Sequence, residues 1–362
     1  MPMKKLQSLL TTGALIGVCL FLLSTSAYSA LAEDYRVTDQ NEFWALSEKL
    51  RPGDNIILGN GIWTDFEIVF EGRGLADAPI TLRAETPGEV IITGASNLAI
   101  SGEYLVVSGL VFRDGYTPSQ SVISFRKSKD ELANNSRVTQ TVIHNFTNPE
   151  RFEADYWVAI YGKNNRFDHN HLEGKRNRGV TLAVRLDSES SRENYHRIDH
   201  NYFGPRPTLG SNGGETLRIG TSHFSRSNSF TTVENNYFDR CDGEVEIISS
   251  KSGSNVIRGN VFYESKGTLT LRHGHDNLVE QNVFLGNGVE HTGGIRVINR
   301  RQTIRNNYIE GVKGYRFGGA LVVMNGVPNS PINRYDGVED SVIASNSLID
   351  SDHIRLAAGS DA

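Results

Sequence analysis

Cysteine is nearly absent from this chain. Its 362 residues contain Cys19 and Cys241 only. Cys19 falls in an apolar N-terminal stretch that reads as removable, which leaves Cys241 alone and excludes an intramolecular disulfide in the remaining chain. Cys19 also lacks the small residue immediately before it that a lipid-attachment signal requires. Beyond that N-terminal stretch there is no second apolar run long enough to span a bilayer. Basic charge is not in excess: 37 Lys and Arg stand against 42 Asp and Glu, a formal net charge of −5. That balance argues against a strongly basic nucleic-acid binder, although a local basic stripe is compatible with an acidic polymer. The ten histidines are scattered and form no zinc pattern with the lone cysteine.

What is present begins with residues 1–32, which have the order of a secretory signal. Lys4 and Lys5 precede a largely apolar stretch from Leu9 to Leu23, and Ala30-Leu31-Ala32 offers a cleavage site that leaves Glu33 as the mature start. The alternative is a single anchoring helix. Cleavage predicts a secreted or periplasmic protein with no membrane segment, and loss of the two lysines takes the formal charge from −5 to −7.

The rest of the chain repeats one short phrase. FDHNHL (167–172), IDHNYF (198–203), VENNYF (233–238), IRGNVF (257–262), VEQNVF (279–284), IRNNYI (304–309) and IASNSL (343–348) each place Asn between apolar residues. The asparagines are Asn170, Asn201, Asn236, Asn260, Asn282, Asn307 and Asn346, so a core period of 22–25 is lengthened by insertions. That period is too short for paired-helix repeats or propeller blades, and the leucine-rich consensus is missing. Three short strands and three turns fit it, at about 3.3 Å per strand residue. The reading is an all-β chain: a right-handed, single-stranded parallel β-helix over 33–362, whose coils bury their inward side chains against one another. Equivalent turn residues then recur about every 4.8 Å, where Asn side chains can hydrogen-bond along the stack, and Asn tolerates left-handed backbone angles. A helix from about Asn41 leading into the strand Asn55–Leu58 is expected to cap the first coil. ITLRAE (80–85), VIITG (90–94) and LVVSGLVF (105–112) read as early strands, and 124–136 and 187–194 as polar loops. The chain ends at Ala362 without an obvious closing segment. That leaves two expectations, a solenoid cut short or an end covered by something else.

Strand alternation projects a set of charges onto one outer face. In VTLAVRLD, Arg185 points out. In ETLRIG, Arg218 points out between Leu217 and Ile219. In EVEIISSKS, Glu244 and Glu246 point out while Val245 and Ile247 point in, and Lys251 lies just past the bend. In TLTLRHG, Arg272 points out, and in GIRVI, Arg296 does. Any one of these is ordinarily a solvated surface charge; both signs converging on one face suggest a site. Two carboxylates at i and i+2 repel unless a cation lies between them. Neighbouring arginines can neutralise them. Alternatively they bind calcium, which takes hard oxygen ligands, with Asn212 in the turn SNGGE as a further donor and Glu215 as another candidate. Lys251 beside such an ion and Arg272 sits in an electropositive place that lowers a lysine pKa toward the range of a base. A cation, a poised lysine and an arginine suit β-elimination from a uronic acid.

At EVEIISSKS followed by LTLRHG the sequence resembles polysaccharide lyase family 6, the chondroitinase-B-like lyases that include many alginate lyases. The resemblance runs from about Tyr35 to the C-terminus. It implies calcium held by Asn212, Glu244 and Glu246, Lys251 as the catalytic base and Arg272 as the acid. It implies substrate contacts at Arg185 and His273, and Arg218 joins them on the same face. The NGGETLRIG segment is more like the alginate-acting members, which implies cleavage of 4-linked mannuronate and guluronate to unsaturated oligosaccharides. The rival activity is on chondroitin or dermatan sulfate. A non-catalytic adhesin or carbohydrate-binding β-helix would need the fold but not Lys251 with Arg272, and a glycoside hydrolase would need positioned carboxylates alone.

Overall fold

In the computed structural model, residues 32–47 and 49–359 are described; the expected signal segment lies outside them apart from its last residue. Three parallel sheets run the length of the molecule, of 12, 12 and 11 strands among the described residues. From Asn55 on the chain visits them in turn, so a typical coil adds one short strand to each sheet. This is the expected parallel β-helix. One sheet holds the strands just before each ladder Asn, such as Arg166–Asp168 and Val256–Arg258. The second holds those just after it, such as His171–Glu173 and Val261–Tyr263. The third, here the site sheet, aligns Tyr156–Ile160, Leu182–Val184, Leu217–Gly220, Glu246–Lys251, Gly267–His273, Thr292–Val297 and Leu321–Met324 as successive neighbours. Among the described residues no helix is long and apolar enough to cross a membrane.

The asparagines stack as the repeat predicts. Each side-chain amide donates to the Oδ1 of the next coil, from Asn170 to Asn201 (3.0 Å), Asn236 (2.9 Å), Asn260, Asn282, Asn307 (3.0 Å each) and Asn346 (2.9 Å). The left-handed residue, however, is the one before each ladder Asn: His169, His200, Asn235, Gly259, Gln281, Asn306 and Ser345 all have φ of 55–62°. The turn needs a residue there that bends the chain, while the Asn keeps an ordinary backbone and turns its amide inward. Two positions later the apolar residue enters the core, and Phe203, Phe238, Phe262 and Phe284 stack face to face at 4.8, 4.7 and 4.4 Å. A second polar column went unread in the sequence. Its backbone N–H groups donate to side chains one coil on: Ser136 to Asn165 Oδ1, Asn165 to His196 Nδ1, Thr231 to Asn255, Asn255 to Asn277 and Asn277 to Gln302.

At the first coil, a strand the sequence reading missed, Asp34–Val37, pairs in parallel with Asn55–Leu58. The helix Gln40–Ser47 follows it, with Asp39 Oδ1 accepting from the N–H groups of Asn41 and Glu42. Its buried Phe43 meets Phe66 edge-on at 5.3 Å and so closes that end of the core. LVVSGLVF is two strands, because Gly109 turns the chain at φ 81°. The expected loop 124–136 is also not wholly loop: Ala133–Asn134 pairs with Gly102 and Glu103.

Candidate active site

The site sheet carries the predicted charges on adjacent strands. Arg218, Ser249, Thr270 and Arg296 share one register row. Arg185 immediately follows Val184, and Lys251 pairs with Gly220 on one side and His273 on the other. Lys251 is the last residue of its strand rather than lying past the bend.

Alternation fails at one place. Val245 was expected inside but is 55% exposed. The strand starts at Glu246, and its register against the next strand slips between Glu246 and Ile248. That bulge lets Ile247 and Ile248 both point into the core, and it sets Glu246 and Ser249 on the outer face, where Ser249 Oγ donates to Glu246 Oε2. A second slip, between Ser250 and Lys251, makes Arg272 the extra residue on the neighbouring strand. The two bulges thus bracket the strand that bears Glu246 and Lys251.

Acid and base alternate across this face. Glu215 Oε1 lies 3.6 Å from Lys251 Nζ and 3.7 Å from Arg218 Nη1. Glu246 Oε1 lies 3.8 Å from Arg272 Nε and 3.7 Å from Arg296 Nη1. Glu244 Oε2 accepts from the backbone N–H groups of Gly213 (2.7 Å) and Gly214 (2.9 Å), directly after Asn212. Burial, then the charge of Glu215 and less so that of Glu246, push the Glu244 carboxyl up to about 7, against the pull of the two N–H groups. Glu215 is buried with its Oε2 unpaired. Asn212, Glu244 and the exposed Val245 line one cavity of about 780 Å³, walled on the far side by His291, Tyr315 and Phe317. Beneath it the buried Arg206 donates to the carbonyls of Gly179 (2.8 Å) and Glu215 (3.0 Å) and so fixes the 213–216 turn.

Segment 325–340 covers the other flank. Arg272 Nη1 donates to the Arg334 carbonyl at 3.1 Å and lies 4.3 Å over the Tyr335 ring. Arg296 lies 4.3 Å over Phe317 and is almost fully buried, so it is not the solvated charge that alternation alone suggests. His273 is buried too. Burial first, then Arg272, Lys251 and Arg226, hold its ring down to about 3, so it is neutral at ordinary pH.

The eight residues given roles in the sequence reading therefore lie on or beside one face: Arg185, Asn212, Arg218, Glu244, Glu246, Lys251, Arg272 and His273. Among the described residues no three acidic, His or Cys groups are arranged to hold a metal ion. The expected donor set is instead two glutamates and an amide. Its chemistry fits a hard cation: crowded carboxylates, one unpaired buried carboxylate oxygen beside them, and no nitrogen or sulfur donor. The sequence reading passed over Tyr156 and gave Glu215 only a secondary place. Tyr156, whose phenol oxygen accepts hydrogen bonds from Arg185 and Arg218, begins the strand Tyr156–Ile160, where it shares the parity of the buried Val158 and Ile160, so alternation does not project it outward.

The profile of the chondroitinase B family matches residues 37–362. Among solved structures, the alginate lyase AlyGC of polysaccharide lyase family 6 is 67% identical with a TM-score of 0.90. The match covers 91% of this chain but 45% of AlyGC, so this chain spans under half of that relative's length. A mannuronic-acid-specific family 6 lyase from human gut microbiota is 38% identical with a TM-score of 0.84, over 90% of this chain and 76% of that one. The family 6 polysaccharide lyase Pedsa3628 from Pseudopedobacter saltans is 29% identical with a TM-score of 0.75, over 87% and 77%. No curated protein matches the chain.

Proposed function

This chain belongs to the chondroitinase B family, and from that premise we propose that it is an exported, calcium-dependent lyase that cleaves alginate by β-elimination. One observation carries the reading. Lys251 and Arg272 stand on adjacent strands of one sheet face, each beside a glutamate, and Glu244 is held by the Gly213 N–H of the turn that follows Asn212. A hydrolase needs carboxylates as acid and base, whereas here a lysine and an arginine accompany them. A binding module needs neither.

Asn212, Glu244 and Glu246 would hold the calcium ion, with Glu215 as a further candidate ligand; when bound it would supply charge neutralisation of the uronate carboxylate, which makes the C5 proton more acidic. Lys251 Nζ, as the neutral amine, takes that proton. The C5–H electron pair forms the C4=C5 double bond as the C4–O bond breaks. Arg272 stabilises the departing oxygen and, as the acid, gives it the proton that makes it a free hydroxyl, regaining its own from solvent. Arg185, Arg218 and His273 position the sugar. The solved relatives named as alginate lyases support alginate as the polymer. The family's name keeps dermatan sulfate as the second substrate to test.

The experiment is formation of the conjugated unsaturated uronate, read by absorbance, on polymannuronate, polyguluronate, mixed alginate and dermatan sulfate. Alginate is expected to react. Exhaustive chelation should abolish the signal and calcium restore it, and a Glu244→Gln/Glu246→Gln protein should need far more calcium. Full activity after chelation would remove calcium from the mechanism; cleavage of dermatan sulfate alone would move the substrate.

A further inference from the structure

The sequence holds four Asn-Gly pairs, beginning at Asn60, Asn212, Asn287 and Asn325. Such a pair can react with itself. The glycine nitrogen, with no Cβ beside it to block the approach, attacks the side-chain carbonyl carbon of the asparagine and expels ammonia. Water then opens the cyclic imide, to aspartate on one side and to isoaspartate on the other. The sum is amide plus water giving acid plus ammonia, so no further reactant is needed.

The structure sorts the four. Asn60 Nδ2 donates to Thr86 Oγ1 and its Oδ1 accepts the Thr86 N–H, both at 3.0 Å, while the Gly61 N–H is held by the Glu89 carbonyl at 2.9 Å. Asn287 Nδ2 donates to Glu264 at 3.1 Å, and the Gly288 N–H donates to the Gly311 carbonyl at 2.8 Å. In both pairs amide and nucleophile are tied to different partners. Asn212 and Asn325 are exposed, and neither side chain has a hydrogen-bond partner among the described residues. Asn325 opens the segment after strand Leu321–Met324. Asn212 lines the cavity of about 780 Å³, and there the nucleophile differs too. The Gly213 N–H donates at 2.7 Å to a carboxylate, Glu244 Oε2. That oxygen can receive the proton the nitrogen must lose, which the carbonyls of Glu89 and Gly311 cannot.

We propose that Asn212 is a self-modification site, converted to aspartate and isoaspartate by attack of Gly213 with Glu244 as the base, and that calcium guards it. The guard rests on the calcium reading of Asn212 and Glu244. An ion bound there would fix the side-chain oxygen and occupy the carboxylate, which leaves the nitrogen without its proton acceptor. Loss of the ion then opens a one-way change. Aspartate puts a further carboxylate beside Glu215, Glu244 and Glu246. Isoaspartate adds a carbon to the main chain and so displaces the Gly213 and Gly214 N–H groups that Glu244 accepts. Both products lack the neutral amide, so the turn keeps a covalent record of time spent without calcium.

The test incubates the protein at neutral pH with chelator or with calcium and follows its peptides by mass spectrometry. That reads the amide-to-acid exchange at each pair without reference to turnover. In chelator Asn212 should convert fastest, with Asn60 and Asn287 at least about tenfold slower, the worth of their hydrogen bonds. Calcium should slow Asn212 by a similar factor and leave the rate at Asn325 as it was. Glu244→Gln, whose amide oxygen accepts a hydrogen bond but takes no proton, should slow Asn212 in chelator by at least about tenfold. Asn60 and Asn287 report folding in every sample, since unfolding would release them, and the calcium comparison needs no variant. Conversion at Asn212 no faster than at Asn60 overturns the site. An undiminished rate in Glu244→Gln removes the base. An equal or higher rate with calcium, in protein that calorimetry shows to bind it, overturns the guard. Absence of calcium binding in calorimetry sinks the calcium reading instead, and the order of the four pairs in chelator still decides whether Asn212 modifies itself.

Discussion

Lys251 and Arg272 make the sharpest residue-scale prediction, because a surface charge and a catalytic group behave so differently when deleted. An isolated surface substitution shifts stability by about 0.5 kcal/mol or less. A positioned proton-transfer group contributes about 10²–10⁴ in rate. Lys251→Ala should therefore melt normally and lose at least that much turnover, and Arg272→Ala should be comparably impaired. Rates of product formation measured beside melting curves decide it, and a Lys251→Ala protein that cleaves near the wild-type rate ends the mechanism. A second residue governs acid sensitivity. His196 is fully buried, and its Nδ1 accepts the Asn165 N–H at 3.1 Å. Burial holds its pKa down to about 3 from the ordinary 6.5. Below 6.5 the unfolded chain binds a proton that the folded chain refuses, so this contribution is whole above pH 6.5 and is lost as pH falls toward 3. The slope is about 1.4 kcal/mol per pH unit. His196→Asn, which supplies the acceptor used at other places in that column, should flatten urea-derived stability between pH 6.5 and 4. An unchanged slope would assign the acid lability elsewhere. The residues themselves were legible to an unequal degree. Alternation placed Arg218 and Arg272 correctly, since each follows a buried inward leucine, Leu217 or Leu271, and it placed Glu246 outward beside the inward Ile247. It misplaced Val245 because a bulge leaves no mark on the hydrophobic pattern, and it could not show that the Phe317 and Tyr335 rings bury Arg296.

At the scale of elements, the ladder and the site sheet obey different rules. The ladder links keep their geometry although the sequence separations they span run from 22 to 39 residues. Insertions are absorbed outside the strands. Asn260 receives the N–H and Nδ2 of Asn236 and itself donates to the Val233 carbonyl and to Asn282, all at 3.0 Å. Asn260→Ala strands several buried groups and should cost about 2–4 kcal/mol in urea unfolding. Asn346→Ala, at the half-buried last link, should cost clearly less. Equal losses would mean that burial along the ladder does not matter. The ladder was legible because it repeats. The second column was not, because it uses Ser, Asn, His, Thr and Gln in turn, and only their shared position reveals them as equivalent. The strand Asp34–Val37 was missed for a related reason: four residues with one buried side chain carry no readable period.

For the whole molecule, the stack is the reason a site can be assembled from distant sequence. Glu215, Glu246, Lys251, Arg272 and Arg296 come from four coils, and each coil places its charge by pairing with the one before. Such a scaffold was foreseeable from the repeat, whereas the cover that 325–340 lays over Arg272 and Arg296 was not, since a loop has no register to project. Export belongs to this scale as well. Protein recovered outside the cytoplasm should begin at Glu33 when its N-terminus is sequenced, and retention of Met1 would favour the anchoring alternative.

The six ladder links all run in the same sense, from the amide of one coil to the carbonyl oxygen of the next. Seven side-chain dipoles are therefore aligned head to tail along the long axis, as peptide dipoles are in an α-helix, each of about 3.5 D. The column has a pole at each end, positive toward the later coils. A coil duplicated in frame would find a donor below and an acceptor above, already oriented. A neighbour stacked upside down would meet like pole with like. The molecule can thus be lengthened only by copying its own direction.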